Sequence, residues 1–177
     1  LKLTINYFKN FTFYLVPFVC GLISTLSLPP YNFFYLNFVS FPFLLLFYLS
    51  FEIKKKFLSF IYGWIFGFAY FISNIYWIAN SLTVEETFKP LIPFAITIIP
   101  LFLGVFYGTS FLIFSYFKPE KKIESIFLFA LVFSFIEYLR GHVLGGFPWN
   151  LISFSLVEIN QFIQILSYVG TYSFNLI

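Results

Sequence analysis

The sequence predicts an all-α fold, a polytopic bundle of about six transmembrane helices with the last one truncated. Three observations lead there. Of the 177 residues, 60% are hydrophobic and only 10% charged, against about 25% charged in an average soluble domain. The 31 phenylalanines exceed what one soluble core of this length can hide, whereas lipid accepts apolar surface all round a helix. The charges that remain are gathered into short runs between long apolar stretches, the pattern of loops between spans.

The first apolar run, Phe11 to Leu28, follows Lys2 and Lys9. It has no Ala-x-Ala-like cleavage site after it and further spans follow, so it reads as a first membrane helix and not as a signal peptide. Leu28-Pro-Pro-Tyr-Asn32 is a turn that a helix cannot cross. Phe33 to Phe51 forms the second span, with a kink expected at Pro42. Lys54-Lys55-Lys56 is the strongest charge run and reads as a solvated loop anchoring two helices at anionic headgroups. The third span is expected from Phe57 to about Leu82. Gly63 and Gly67 stand at the spacing that lets a neighbouring backbone approach, and Tyr76 and Trp77 fit an aromatic belt.

Thr83 to Pro90 is a polar loop. The fourth span lies within Leu91 to Phe117, broken by Pro93 and Pro100 and loosened by Gly104 and Gly108, and Lys118-Pro-Glu-Lys-Lys122 closes it. Ile123 to Leu139 is the fifth span. Leu151 to Asn160 is expected to be a short interfacial stretch, and Gln161 to Ile177 opens a sixth span. Its roughly ten strongly apolar positions are too few for a bilayer of about 30 Å, and Met is absent from the sequence, so a cut chain is expected. Residues 1–177 read as one transmembrane helical domain.

Eight of the ten basic residues fall in the loops at Lys2/Lys9, Lys54–Lys56 and Lys118/Lys121/Lys122. These loops alternate onto one side, which marks that side, and the N-terminus with it, as cytoplasmic. The net charge of +3 is thus a topology signal. Basic residues split among short loops form no stripe for nucleic acid.

Cys20 lies in an apolar run with no base near it in sequence and reads as a small buried hydrophobe, not a nucleophile. One cysteine allows no intrachain disulfide, and His142 has no partner spaced for zinc, so neither metal nor cofactor is expected. Charge, glycine, proline and indole concentrate in one place, Glu137-Tyr-Leu-Arg-Gly-His-Val-Leu-Gly-Gly-Phe-Pro-Trp-Asn150. The helix must stop there, because Gly141, Gly145 and Gly146 loosen the backbone and Pro148 forbids continuation. Glu137 and Arg140, three apart, meet on one helix face. Two readings stand for them: a salt bridge that pins the helix end, or contact with a headgroup or substrate phosphate, for which the guanidinium fork is suited. The candidate lipid-binding set is Glu137, Arg140, Gly141, Gly146, Phe147, Pro148 and Trp149, with no catalytic residue among them. On the lysine count these residues face outward.

Ser27-Leu-Pro-Pro-Tyr-Asn32, Gly63-Trp-Ile-Phe-Gly67 with Tyr76-Trp-Ile78, Glu137-Tyr-Leu-Arg-Gly141 with Gly146-Phe-Pro-Trp-Asn150, and Gln164 with Gly170-Thr-Tyr-Ser173 together resemble the bacterial apolipoprotein N-acyltransferases through most of the chain. Phe133 stands where that family often has Trp, and a large aromatic is kept. The resemblance implies a multi-pass protein of the bacterial inner membrane that works in lipoprotein maturation by two-step acyl transfer. A phospholipid acylates a cysteine as a thioester, and the amine of a diacylglyceryl-cysteine lipoprotein then takes the acyl chain. It also implies an extracytoplasmic nitrilase-like domain with a Glu-Lys-Cys set. No residue here matches that set, so the fragment alone is expected to be inactive. Two other classes fit the helices: a piece of a multi-pass transporter, whose pathway Pro-broken spans would mark, and a non-catalytic membrane scaffold.

Overall fold

A computed structural model describes residues 2–53 and 55–173, with the side chains of residues 2–10 and of Leu144 left aside. Lys54, the side chains of Lys2 and Lys9, and the last four positions of the expected sixth span therefore lie outside the described residues. The chain is an all-α bundle with no strand among the described residues. Its helices are α1 (Lys2–Thr25), α2 (Asn37–Leu49), α3 (Lys56–Asn74), α4 (Ile78–Ser81), α5 (Ile92–Phe117), α6 (Lys122–His142) and α7 (Asn160–Val169). Short 3-10 turns cover Phe34–Leu36, Glu86–Leu91, Val143–Gly145 and Ile152–Leu156.

The pair α3 and α5 is the centre, with α1 against α3 and α6 against α5. Glycine sets that pairing. A Cβ built on Gly67 would lie 2.9 Å from Gly104 Cα and 3.0 Å from Tyr107 Cβ, and one on Gly104 would lie 3.1 Å from the Trp64 carbonyl oxygen. Gly63 and Gly108 meet the opposite helix as closely. The small-residue spacing read from Gly63 and Gly67 thus has its partner in Gly104 and Gly108, and the two backbones touch along four residues. Around this seam packs an aromatic core of Tyr62, Phe66, Tyr70 and Phe71 from α3, Tyr107, Phe111 and Phe114 from α5, and Phe129 and Phe133 from α6. Buried hydroxyls are paired across helices: Tyr48 Oη donates to Ser59 Oγ at 2.7 Å, Tyr62 Oη to the Leu44 carbonyl at 2.9 Å, and Ser24 and Ser40 share a bond of 2.7 Å. Cys20 is buried in the core.

Several boundaries differ from expectation. α3 stops at Asn74 instead of running to Leu82, since Ile75 leaves helical geometry at φ −106° and ψ 10°. Ser73 and Asn74, whose side chains compete for backbone hydrogen bonds, precede the break, and Trp77 and Ile78 belong to a separate turn. Pro93 does not break the fourth span. It sits in the first turn of α5, where no N–H is needed. Pro100 is accommodated inside a continuous helix. In the stretch from Leu151, Leu151, Ser153, Ser155 and Leu156 are buried against the bundle, the apolar ones as any core residue is, while Glu158 and Asn160 are exposed.

Two helical stretches, Lys56–Asn74 and Glu86–Phe117, are long and apolar enough to cross a membrane, while Phe11–Thr25 and Phe34–Leu49 are apolar but shorter. Outward faces carry Phe38, Phe43, Phe94, Phe102, Phe127 and Phe135 well exposed, a surface that suits lipid. Lys56 Nζ, at the start of α3, donates to the Ser115 carbonyl near the end of α5. The two central helices therefore run antiparallel, and Lys118 to Lys122 lie at the same end as Lys56.

Gly67→Leu should push α3 from α5, because the atoms it meets are backbone and Cβ and cannot turn aside. The expected cost is at least the roughly 1–3 kcal/mol of core overpacking. Gly145, with nothing near its missing Cβ but φ +86°, should accept Ala at about 1 kcal/mol. Thermal unfolding of the detergent-purified variants measures both, with the larger fall in Tm at position 67.

Candidate functional site

The last turns of α6 bring Glu137 and Arg140 to one face, and that face turns inward against α3 and α5. Both side chains have no exposed surface. The guanidinium carbon of Arg140 lies 5.0 Å from the ring centre of Phe71 and 6.0 Å from that of Tyr107, within reach of favourable cation–π attraction. Its Nη2 is 3.4 Å from Glu137 Oε1. Tyr107 Oη donates to the same carboxylate oxygen at 2.7 Å. Two charges are thus carried into the core as a hydrogen-bonded group, the one form in which burial is tolerable.

The other nitrogen of the fork works on the loop. Arg140 Nη1 donates to the carbonyls of Phe147 and Trp149, each at 2.9 Å. The Phe147 N–H returns a bond to the Arg140 carbonyl at 2.9 Å. Tyr70 Oη holds the Asn150 carbonyl at 3.0 Å. Three successive loop carbonyls that accept bonds are therefore pinned by side chains from α3 and α6, with Pro148, which has no N–H to satisfy, between two of them. Gly146 makes the turn into this loop at φ +75° with its α-carbon against the Gly141 carbonyl, a place and a conformation that exclude any side chain. Gly141 in turn leaves room for the hydroxyl of Tyr172.

So held, the loop presents Trp149 outward. Its indole stacks on Trp77 with ring centres 4.8 Å apart and planes at 15°. The stacked pair borders a cavity of about 690 Å³. Three separate stretches of sequence line it: Leu28, Pro29, Pro30 and Tyr31 after α1; Ser73, Asn74, Tyr76 and Trp77 at the end of α3; and Pro148, Trp149 and Asn150. Among the described residues no charged side chain lines it. Asn74, 8% exposed, has no partner for its Nδ2 among the described residues, so an amide donor stands ready in an aromatic-walled space. Asn32, at the end of the first stretch, is tied through its Nδ2 to Glu158 Oε1, which braces the cavity from the far side of the loop.

Of the seven residues singled out from sequence, Pro148 and Trp149 border the cavity, and Glu137, Arg140, Gly141, Gly146 and Phe147 stand behind it as the frame of the loop. Arg140 has no exposed surface, so a phosphate contact would require the guanidinium or the loop over it to move, although its Nε has no partner among the described residues. Tyr70, Phe71, Tyr107 and Asn74 were not singled out. The available signal for the tyrosines was a polar handle in otherwise apolar helices, since a buried hydroxyl seeks a partner. His142 ends α6, where its Nδ1 lies 2.8 Å from the Tyr138 carbonyl and its ring is 4.2 Å from that of Tyr138.

Fold and site together describe an all-α, lipid-compatible bundle that carries a pinned Gly-Phe-Pro-Trp loop over an aromatic cavity. Residues 20–177 match the family described as apolipoprotein N-acyltransferase N-terminal domain. The chain is 32% identical over 165 residues to an apolipoprotein N-acyltransferase of Brucella melitensis, covering 88% of this chain and 31% of that protein. It is 34% identical over 172 residues to that of Sinorhizobium medicae, with 92% and 32% covered, and 31% identical over 166 residues to that of Rhodopseudomonas palustris, with 92% and 31% covered. The chain belongs to the apolipoprotein N-acyltransferase family and corresponds to its N-terminal domain. It spans about a third of the length of the curated relatives it matches.

Arg140→Ala would leave the Glu137 carboxylate buried without its cation and release two loop carbonyls. The expected cost is about 3–5 kcal/mol, read as a fall in Tm together with a change in tryptophan fluorescence as Trp149 leaves Trp77. The exchange Glu137→Arg/Arg140→Glu should not restore either signal, because a carboxylate at position 140 cannot donate to the Phe147 and Trp149 carbonyls.

Proposed function

We propose that this chain is the membrane-embedded N-terminal part of an enzyme that moves an acyl chain from a phospholipid to the N-terminal amine of a diacylglyceryl-cysteine lipoprotein, and that the cavity beside Trp149 receives one of these lipids. The observation that carries this is the convergence of three distant stretches on one uncharged, aromatic-walled space of about 690 Å³. Indole and phenol rings are at home at the headgroup level of a bilayer. The Asn74 amide offers a donor to an ester or glycerol oxygen, and the absence of charge in the lining suits that part of a lipid better than its phosphate. Arg140 acts by positioning: it fixes the loop carbonyls so that Trp149 meets the lipid, without touching it.

The cavity end faces outward and the lysine end faces the cytoplasm of a bacterial cell, as the lysine count favours. In support, the 19 residues of α3 rise about 28 Å, close to the roughly 30 Å of hydrocarbon in a bilayer. α1, α2, α3, α5 and α6 are the first five spans and α7 begins the sixth. The burial of Cys20 in α1 supports the reading that the nucleophile belongs to another part of the enzyme and that this chain alone is inactive.

Two measurements test this. With Cys20→Ser as background, single cysteines at Tyr31 and Lys121 should react with an impermeant maleimide from outside intact cells only at position 31; labelling of position 121 from outside would reverse the orientation. In a complete acyltransferase carrying this sequence, Trp149→Ala and Asn74→Leu should each lower acyl transfer about tenfold or more, a loss of about 1.4 kcal/mol in transition-state stabilisation, at unchanged membrane abundance. Full turnover by both variants would remove the cavity from the reaction.

A further inference from the structure

A second cleft, of about 430 Å³, lies on the other side of the turn Ile152–Leu156. Phe154 faces the cavity beside Trp149, whereas Ile152, Ser153 and Leu156 face this cleft. Its walls are α2 and α6, with Leu45, Leu46, Phe129 and Phe133 along them. Apart from one end the lining is apolar. At that end stand Asn37, the first residue of α2, and Ser153. Both amide atoms of Asn37 and the hydroxyl of Ser153 are buried without a partner among the described residues, and the two residues are 8% and 3% exposed. An unpaired buried amide costs free energy that a ligand would recover.

The shape limits what that ligand is. From Asn37 to Leu46 the helix rises about 14 Å, which is close to one leaflet, half of the roughly 30 Å hydrocarbon thickness. The polar end lies toward the same end of the bundle as the Gly-Phe-Pro-Trp loop, and Leu46 and Ile126 lie toward the lysines. The volume is within the range of small-molecule sites, about 300–1,000 Å³. We infer that this cleft holds one acyl chain of a resident glycerolipid, its ester carbonyl accepting from Asn37 Nδ2 and Ser153 Oγ and a headgroup ammonium or hydroxyl donating to Asn37 Oδ1. The lipid is a fixed component of the bundle, separate from the one turned over beside Trp149. The inference goes beyond the acyl-transfer reading and rests on it only in that the chain sits in a bilayer.

The test uses the complete chain, reconstituted in vesicles of phosphatidylethanolamine and phosphatidylglycerol, extracted in mild detergent and weighed by native mass spectrometry. One bound lipid per chain is expected. From phosphatidylcholine vesicles, whose headgroup has no donor, retention should fall at least fivefold. A phosphatidylethanolamine with a mid-chain diazirine should label Leu45, Leu46, Phe129 or Phe133 at least fivefold above Phe102 on the outer face of α5. Ala130→Phe, which fills the cleft, and Asn37→Leu, which keeps its volume and removes the amide, should each abolish retention and cleft labelling, while Trp149→Ala should leave both unchanged. Should Ala130→Phe not fold, Asn37→Leu decides. No retained lipid, equal retention of phosphatidylcholine, labelling spread evenly over α2, α5 and α6, or cleft residues shielded from lipid by the polypeptide itself would each overturn the inference. Because the readout is binding and not turnover, that failure is distinct from failure of the acyl-transfer reading.

Discussion

Arg140 has no exposed surface, and the candidate site follows from where its two terminal nitrogens make their bonds, while its Nε has no partner among the described residues. One nitrogen answers Glu137 at 3.4 Å and the other answers two loop carbonyls at 2.9 Å. In a low-dielectric core each bond is strong and each omission costly, so the loop has little choice of path. The direction of Trp149 is thereby set from inside the bundle, by a residue that itself lies behind the cavity.

That arrangement needs Tyr107 at the right depth, and depth is fixed by the α3–α5 seam. With Gly67 against Gly104 the two backbones come as close as backbones can, and Tyr107 is brought under the Glu137 carboxylate, to which it donates at 2.7 Å. Tyr70, one turn beyond Gly67 on α3, reaches the Asn150 carbonyl. A close helix pair, a buried ion group and a pinned loop therefore form one chain of dependence. The cavity lies at its end, with the breaking of α3 at Ile75 supplying Trp77 as its second wall.

Much of this was legible in the sequence, for reasons that differ by element. The bundle class follows from composition, and the start of α1's turn, the end of α6 and the Gly63/Gly67 contact follow from proline, glycine and spacing, which act locally. Spacing also put Glu137 and Arg140 together. It could not say which way α6 rotates, so it left open whether the pair met lipid or the core. Tyr107 and Tyr70 were invisible as partners because they lie 30 and 80 positions from the groups they bind. The early end of α3 was hidden by the apolar Ile75, Tyr76, Trp77 and Ile78, which continue the hydropathy of a span after its geometry has stopped. The burial of Ile152–Leu156 was hidden because so short a turn has no period to read.

The glycine seam also bears on how such a sequence can drift. Where two helices meet through side chains, a lost methyl on one can be answered by a gained methyl on the other, and the pair wanders through sequence space. Where they meet through bare backbone, there is no smaller residue to retreat to and no partner able to compensate. Gly63, Gly67, Gly104 and Gly108 therefore hold the distance between α3 and α5 as a fixed inheritance. The phenylalanines exposed on the outer faces are under no such constraint.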